Sequence, residues 1–122
     1  MPRRPPPPLP QPGKPVRGSH SGRPIMALFD LLGRRWTLRI LWELRNGPLT
    51  FRQLRAAADQ ASPSVLNQRL SELKHAQLVQ LENIGYALTP LGQELIGALQ
   101  PTLAWSKRWA QHYPDAADEP SP

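Results

Sequence analysis

Nine of the 16 prolines in this 122-residue chain lie within the first 24 positions (Pro2, Pro5, Pro6, Pro7, Pro8, Pro10, Pro12, Pro15 and Pro24). Proline fixes φ and offers no N–H, so neither a helix interior nor a sheet ladder can run through such a stretch. The same stretch carries Arg3, Arg4, Lys14, Arg17 and Arg23, with only Met1, Leu9 and Val16 as further apolar side chains. Too little apolar area is present to offset the ordering entropy, so residues 1–23 read as an unstructured Pro/Arg-rich arm. A disordered acidic tail is expected over 114–122, which holds Asp115, Asp118 and Glu119. One folded domain, 24–113, lies between them. It is near the size at which a single core becomes self-sufficient and a partner subunit helps.

Charge divides along the same boundaries. The first 24 residues carry +5, residues 25–112 carry +4 and the remainder −3, giving the net +6 of the chain. A basic domain with a basic arm points to a polyanion, usually nucleic acid. Without cysteine there is no disulfide framework, thiolate zinc site or cysteine nucleophile. No apolar run approaches membrane-spanning length, and prolines follow the early arginines where a signal peptide has its apolar stretch. A cytoplasmic protein, associated with the nucleoid through DNA, is the expectation.

After Pro24 the apolar residues take helical spacing. Pro24 suits a first helical turn and Gly33 an end, which predicts a helix over 24–33. Arg35 to Arg45 is apolar around most of its circumference and reads as a central core helix, with Trp36 and Trp42 as core residues and Arg39 and Glu43 as a solvated i, i+4 pair. Asn46-Gly47-Pro48 ends it, and Leu49-Thr50 reads as a short extended piece. Thr50 caps a short helix over 51–58, a turn of three residues follows, and Ser62-Pro63 opens another helix to Ala76. Leu78 to Glu82 and Tyr86 to Leu88 read as two strands around Asn83-Ile84-Gly85. Such a hairpin is marginal alone and must pack on the helices or pair with Leu49-Thr50. Thr89-Pro90 starts a final apolar stripe of about 20 residues in which Pro101 predicts a kink or two successive helices.

A mainly α chain with one small β-hairpin (α+β) in this order describes a winged helix-turn-helix. Leu66, Leu70 and Leu73 fix the second helix of the motif to the core and leave its other face free for a major groove. Ser62, Ser64, Asn67, Gln68 and Ser71 are the candidate readers there, because hydroxyl and amide groups bond base edges and phosphates. Ser62 serves equally well as a cap. Lys74 lies toward the far end, beside His75, a surface histidine. Arg52 and Arg55, on the helix that crosses the DNA backbone, are candidate phosphate contacts. For Arg69 a structural ion pair competes with a phosphate contact.

Three stretches resemble the HxlR-type winged helix-turn-helix regulators: LLGRRWTLRILWELRNGPLTFRQLR, SPSVLNQRLSELKHAQLV and YALTPLGQELIGAL. The shared pattern is Gly33-x-x-Trp36-Thr37, Asn46-Gly47-Pro48 before Phe51-x-x-Leu54, Leu66-x-x-Arg69-Leu70-x-x-Leu73 after Ser62-Pro63, and Leu88-Thr89-Pro90-Leu91-Gly92. The resemblance implies a sequence-specific, DNA-binding transcriptional regulator. It also implies a homodimer held by the first and last helices, here through Leu28, Leu99, Leu103, Trp105 and Trp109, with one recognition helix per half-site. Members often carry a sensing cysteine just before the first helix. Here that region reads Ser21-Gly22-Arg23-Pro24-Ile25, which rules out thiol sensing. The wing, turning over Asn83-Ile84-Gly85 beside Glu82, is shorter and less basic than usual in the family, so DNA contacts fall mainly to the helices and the arm. A small-molecule effector between the subunits is left open.

Two other classes of function compete. One is a winged-helix protein–protein interaction module, in which the polar helix face docks on a protein. The other is an enzyme, for which no constellation can be assembled: His20, His75 and His112 are widely spread, and the chain has no Gly-rich phosphate loop, paired carboxylates or metal and cofactor motif.

Overall fold

The computed structural model describes residues 9–16 and 22–113. Five helices and one hairpin follow in order: α1 (Pro24–Leu32), α2 (Thr37–Glu43) ending in a 3-10 turn (Leu44–Asn46), α3 (Phe51–Ala57), α4 (Pro63–His75), β1 (Val79–Leu81), β2 (Tyr86–Leu88) and α5 (Pro90–Ala110). This is the winged helix-turn-helix order read from the sequence.

Local chemistry explains most boundaries. Pro24, Pro63 and Pro90 occupy first turns, where the missing N–H has no partner to lose. Thr50 makes a full capping box, its hydroxyl accepting from the Gln53 N–H while the Gln53 side chain accepts from the Thr50 N–H. Thr89 Oγ1 accepts from the Gly92 N–H at 3.0 Å and donates to the Gln77 carbonyl at 2.6 Å, tying the start of α5 to the end of α4. Helix α2 is shorter than the span 35–45, because Trp36 sits at its N-cap in the left-handed region with φ 75°.

The core is made where α2, α3 and α4 meet. Ile40, Leu41, Leu44, Leu54, Leu66 and Leu73 are wholly buried, and Leu70 nearly so. Truncating any of these to alanine costs about 2–5 kcal/mol. The hairpin pairs antiparallel, Val79 with Leu88 and Leu81 with Tyr86. Leu49 adds a bridge to Tyr86, with bonds of 3.0 and 2.8 Å in the two directions. Both supports foreseen for the hairpin are therefore present.

Three expectations need correction and one is narrowed. Of the two forms expected at Pro101, the two successive helices are not found, and α5 runs as one element through it; the bond forfeited there is to the carbonyl of Gly97, an exposed residue that water can reach. Trp42 is half-buried instead of central, its ring stacked under the Arg45 guanidinium 3.7 Å away. Trp36 is also only half-buried, packed on the edge of the core. Ser62 occupies the N-cap of α4 without a capping bond, because its hydroxyl meets that of Ser64 at 3.1 Å. Within the stretch read as an arm, residues 9–16 are described, with Pro10 buried and Gln11 bonded to His75. The rest of that reading, at 1–8 and 17–21, and the tail at 114–122 lie outside the described residues.

Candidate nucleic-acid interface

Helices α3 and α4 are joined by a turn in which Asp59 and Gln60 adopt φ of 54° and 60°. Polar residues such as these tolerate the left-handed region at low cost. Ala61 closes the turn from inside, 3% exposed, and the Arg55 Nε donates to its carbonyl at 2.9 Å. On the other side Arg39 bonds Glu43 Oε1 (2.8 Å), Asp59 Oδ2 (3.2 Å) and the Ala57 carbonyl (2.8 Å). The Glu43 bond outweighs partial desolvation and raises the Arg39 pKa above its ordinary value. The pair read from the sequence as a solvated i, i+4 contact therefore also ties α2 to the end of α3.

Helix α4 is held from behind by two devices. Leu66, Leu70 and Leu73 form the apolar one. The ionic one is centred on Glu72, whose carboxylate takes Arg34 Nη1 at 2.6 Å and Arg69 Nη1 at 2.9 Å, while Arg69 Nε donates to the Arg35 carbonyl at 2.8 Å. Arg34 also lies 3.6 Å from Asp30 of α1. Of the two readings left open for Arg69, the structure contains the ion pair. Arg34, Asp30 and Glu72 were not singled out in the sequence; only the i, i+4 spacing of Asp30 and Arg34 and the i, i+3 spacing of Arg69 and Glu72 could have hinted at them.

The outward face of α4 carries Ser64, Asn67, Gln68, Ser71, Lys74 and His75, all exposed. Ser64, Gln68, Ser71 and His75 follow the i, i+4, i+7, i+11 spacing of a single line along a helix. Asn67, Gln68, Ser71 and Lys74 make no side-chain hydrogen bond or ion pair among the described residues, and Arg52 of α3 is likewise exposed and unengaged there. Arg55, by contrast, is half-buried and holds the turn. The wing turns tightly, with Glu82 and Gly85 bonded to each other through both backbone groups, and its tip residue Ile84 is 71% exposed.

A second surface lies on α5. Trp105 and Trp109 are about half exposed and stack with centroids 5.9 Å apart, and Tyr113 meets Trp109 edge-on. Near them Leu99 and Leu103 line an apolar cleft of about 320 Å³ with Leu38, Trp42 and Ile96. Leu28 sits apart, in a groove shared with Pro10 and Pro12.

The sequence profile of the HxlR-like helix-turn-helix family matches residues 31–114. The chain belongs to that family. Among similar proteins, an HTH-type transcriptional regulator of Methanocaldococcus jannaschii is 30% identical over 90 residues, covering 70% of this chain and 85% of the relative. The HTH-type transcriptional regulator YodB of Bacillus subtilis is 29% identical over 90 residues, covering 68% and 80%. The crystal structure of quinone-bound YodB superposes with a TM-score of 0.65 at 31% identity, over 69% of this chain and 96% of that one. A transcriptional regulator of the MarR family from Enterococcus faecalis V583 gives 0.66 at 27% identity, over 80% and 94%. The family's winged helix-turn-helix thus occupies the region in which α3, α4 and the hairpin were built from local chemistry. Among the described residues no helix is long and apolar enough to cross a membrane.

Proposed function

We propose that this HxlR-like chain is a sequence-specific DNA-binding transcriptional regulator that works as a homodimer, with one α4 helix in the major groove of each half-site. The observation that carries the reading is the contrast between the two sides of α4. Its inner side is locked by three leucines and the Glu72 ion pairs, and its outer side presents Asn67, Gln68 and Ser71, uncharged hydrogen-bonding groups without a side-chain hydrogen bond among the described residues. Such a helix offers donors and acceptors to base edges without having to reorganise.

Gln68, Asn67, Ser64 and Ser71 are assigned to base edges, and Ser62 to the start of the helix, where a phosphate can approach. Arg52 and Lys74 take phosphates, Arg55 supports the turn through its bond to the Ala61 carbonyl, and Arg69 positions α4. Leu99, Leu103, Trp105 and Trp109 form the subunit interface, for which aromatic anchors are well suited.

The test is selection of fragments bound by the purified protein from the source genome. The expected product is a palindromic site with half-site centres roughly ten base pairs, about 34 Å, apart. Absence of any enrichment at low salt removes the DNA reading and favours a protein-docking module; a single non-palindromic site removes the dimer.

A further inference from the structure

Between α1 and α2 the chain turns a corner that the fold holds from both sides. The Thr37 N–H bonds the Arg34 carbonyl at 3.2 Å, the Ile40 N–H bonds the Trp36 carbonyl at 2.9 Å, and Arg69 of α4 donates to the Arg35 carbonyl. Trp36 is thereby kept in the left-handed region, which a bulky residue adopts only where its surroundings enforce it. Its indole stands half-buried at the edge of the core. Beside it opens a pocket of about 360 Å³ lined by Leu32, Arg34, Arg35, Trp36, Leu38 and Arg39. That volume falls in the range of small-molecule sites, which combine apolar walls with a few polar groups.

The three arginines of the wall differ in what they have left to offer. Arg34 is committed to Glu72 and stands beside Asp30, and Arg39 is committed to Glu43, Asp59 and the Ala57 carbonyl. The Arg35 side chain is exposed and makes no hydrogen bond or ion pair among the described residues; its guanidinium carbon lies 5.4 Å from the centroid of the Trp36 ring. The carboxylates of Asp30, Glu43, Asp59 and Glu72 are thus matched to the other two arginines, and the lining itself contains no acid. A guanidinium presents a planar fork of donors to a carboxylate, and an indole offers its face to a flat ring. At this corner the two stand together, with Leu32 and Leu38 as the apolar wall.

We propose that this pocket binds a small aromatic carboxylate, its ring against Trp36 and its carboxylate on Arg35. A consequence for DNA follows, and this part rests on the DNA-binding reading above. Because the Arg35 carbonyl accepts from Arg69, Arg35 flanks α4, and a bound anion cancels a positive charge there. Occupancy therefore weakens DNA binding, and DNA weakens ligand binding by the same factor.

Isothermal titration calorimetry of the full chain with 2-naphthoate, 2-naphthol and inorganic phosphate tests the site. Naphthoate is expected to bind one site per chain at millimolar concentration or below, with the naphthol and phosphate weaker by about tenfold or more. Arg35→Ala should weaken naphthoate by about tenfold, and Arg35→Lys, which keeps the charge and loses the fork, by less. No binding of naphthoate at millimolar concentration overturns the proposal. Equal affinity for naphthol or for phosphate also overturns it, as it leaves a plain apolar patch or a bare anion contact. Unchanged affinity in Arg35→Ala places the ligand elsewhere and has the same force. Saturating naphthoate should weaken duplex binding a few-fold in the parent and leave Arg35→Ala unaffected. If Arg35→Ala itself weakens duplex binding and naphthoate does nothing to the parent, Arg35 is a phosphate contact and the link from pocket to DNA is removed. If the parent binds no duplex at low salt, the DNA reading falls, while the calorimetry still decides the pocket.

Discussion

Arg34 of the α1–α2 junction and Glu72 of α4 meet at 2.6 Å with both side chains only 5% exposed. The pair crosses 38 positions of sequence and joins the N-terminal helices to the helix that carries the reading face. Because Glu72 also holds Arg69, and Arg34 lies beside Asp30, the contact fixes the rotation of α4 about its own axis. Leucines alone resist lifting of a helix better than they resist its rolling, since dispersion is non-directional. Directed, charge-assisted bonds supply what they lack.

Removing one partner of such a pair leaves the other as a buried charge. Glu72→Ala is therefore expected to destabilise the domain by roughly 3–5 kcal/mol in urea unfolding. Arg69→Ala, at a side chain 16% exposed, should cost clearly less. Equal costs for the two, or a loss below about 1 kcal/mol for Glu72→Ala, would show that the network is dispensable to the fold.

Two glycines of α5 should respond with opposite signs. A Cβ at Gly92 would fall on the Leu78 carbonyl oxygen, where β1 begins, whereas one at Gly97 meets nothing. Gly92→Ala is expected to lose about 1–3 kcal/mol through backbone displacement. Gly97→Ala should gain about 0.5–1 kcal/mol from the lower entropy of the unfolded chain. Thermal unfolding of the two variants side by side checks both signs.

The arginines of α3 separate contact from support. Arg52 is unengaged among the described residues, so Arg52→Ala should leave stability within about 0.5 kcal/mol. Its binding to all DNA sequences should weaken alike, with a salt slope lower by about one unit. Arg55 donates to the Ala61 carbonyl, so Arg55→Ala should cost about 1 kcal/mol of stability as well. Gln68→Ala belongs to a third kind, changing preference at one base pair by about 1–3 kcal/mol with little effect on random DNA. If Gln68→Ala and Arg52→Ala scale specific and random binding in the same ratio, α4 is not the reader.

Much of this could be read from the chain because the signals are local. The Thr50 and Thr89 caps, Pro63 at the head of α4, the alternation around Asn83-Ile84-Gly85 and the stripe of Leu66, Leu70 and Leu73 each depend on residues within one or two turns. The Arg34–Glu72 pair could not be read, since charged side chains far apart in sequence look like two solvated surfaces until the helices are packed. Pro10 and Pro12 were hidden for another reason. Counting them as breakers of regular structure overlooked that a proline ring is itself apolar and can fill a groove without regular structure. At Pro101 the sequence left a kink or a break open, and the continuous α5 shows no break, since the lost bond leaves the Gly97 carbonyl to water.

The stacked Trp105 and Trp109 give the dimer its sharpest test. Two indoles left about half exposed on one helix, beside a cleft lined by Leu99 and Leu103, are costly to leave in water and pre-ordered for a flat partner. Aromatic anchors at interface centres commonly contribute 2 kcal/mol or more each, which corresponds to about a 30-fold change in dissociation constant. Sedimentation equilibrium of Trp105→Ala/Trp109→Ala is therefore expected to show monomer at concentrations where the parent is dimeric, with the helical signal retained. Ile84→Ala, equally apolar and more exposed at the wing tip, should leave the dimer intact. Since each monomer still carries one α4, the double variant should bind an isolated half-site as the parent subunit does and lose the full palindrome. A parent chain that is monomeric throughout, or a double variant that stays dimeric, removes α5 as the subunit interface and returns the tryptophans to the list of surfaces awaiting another partner.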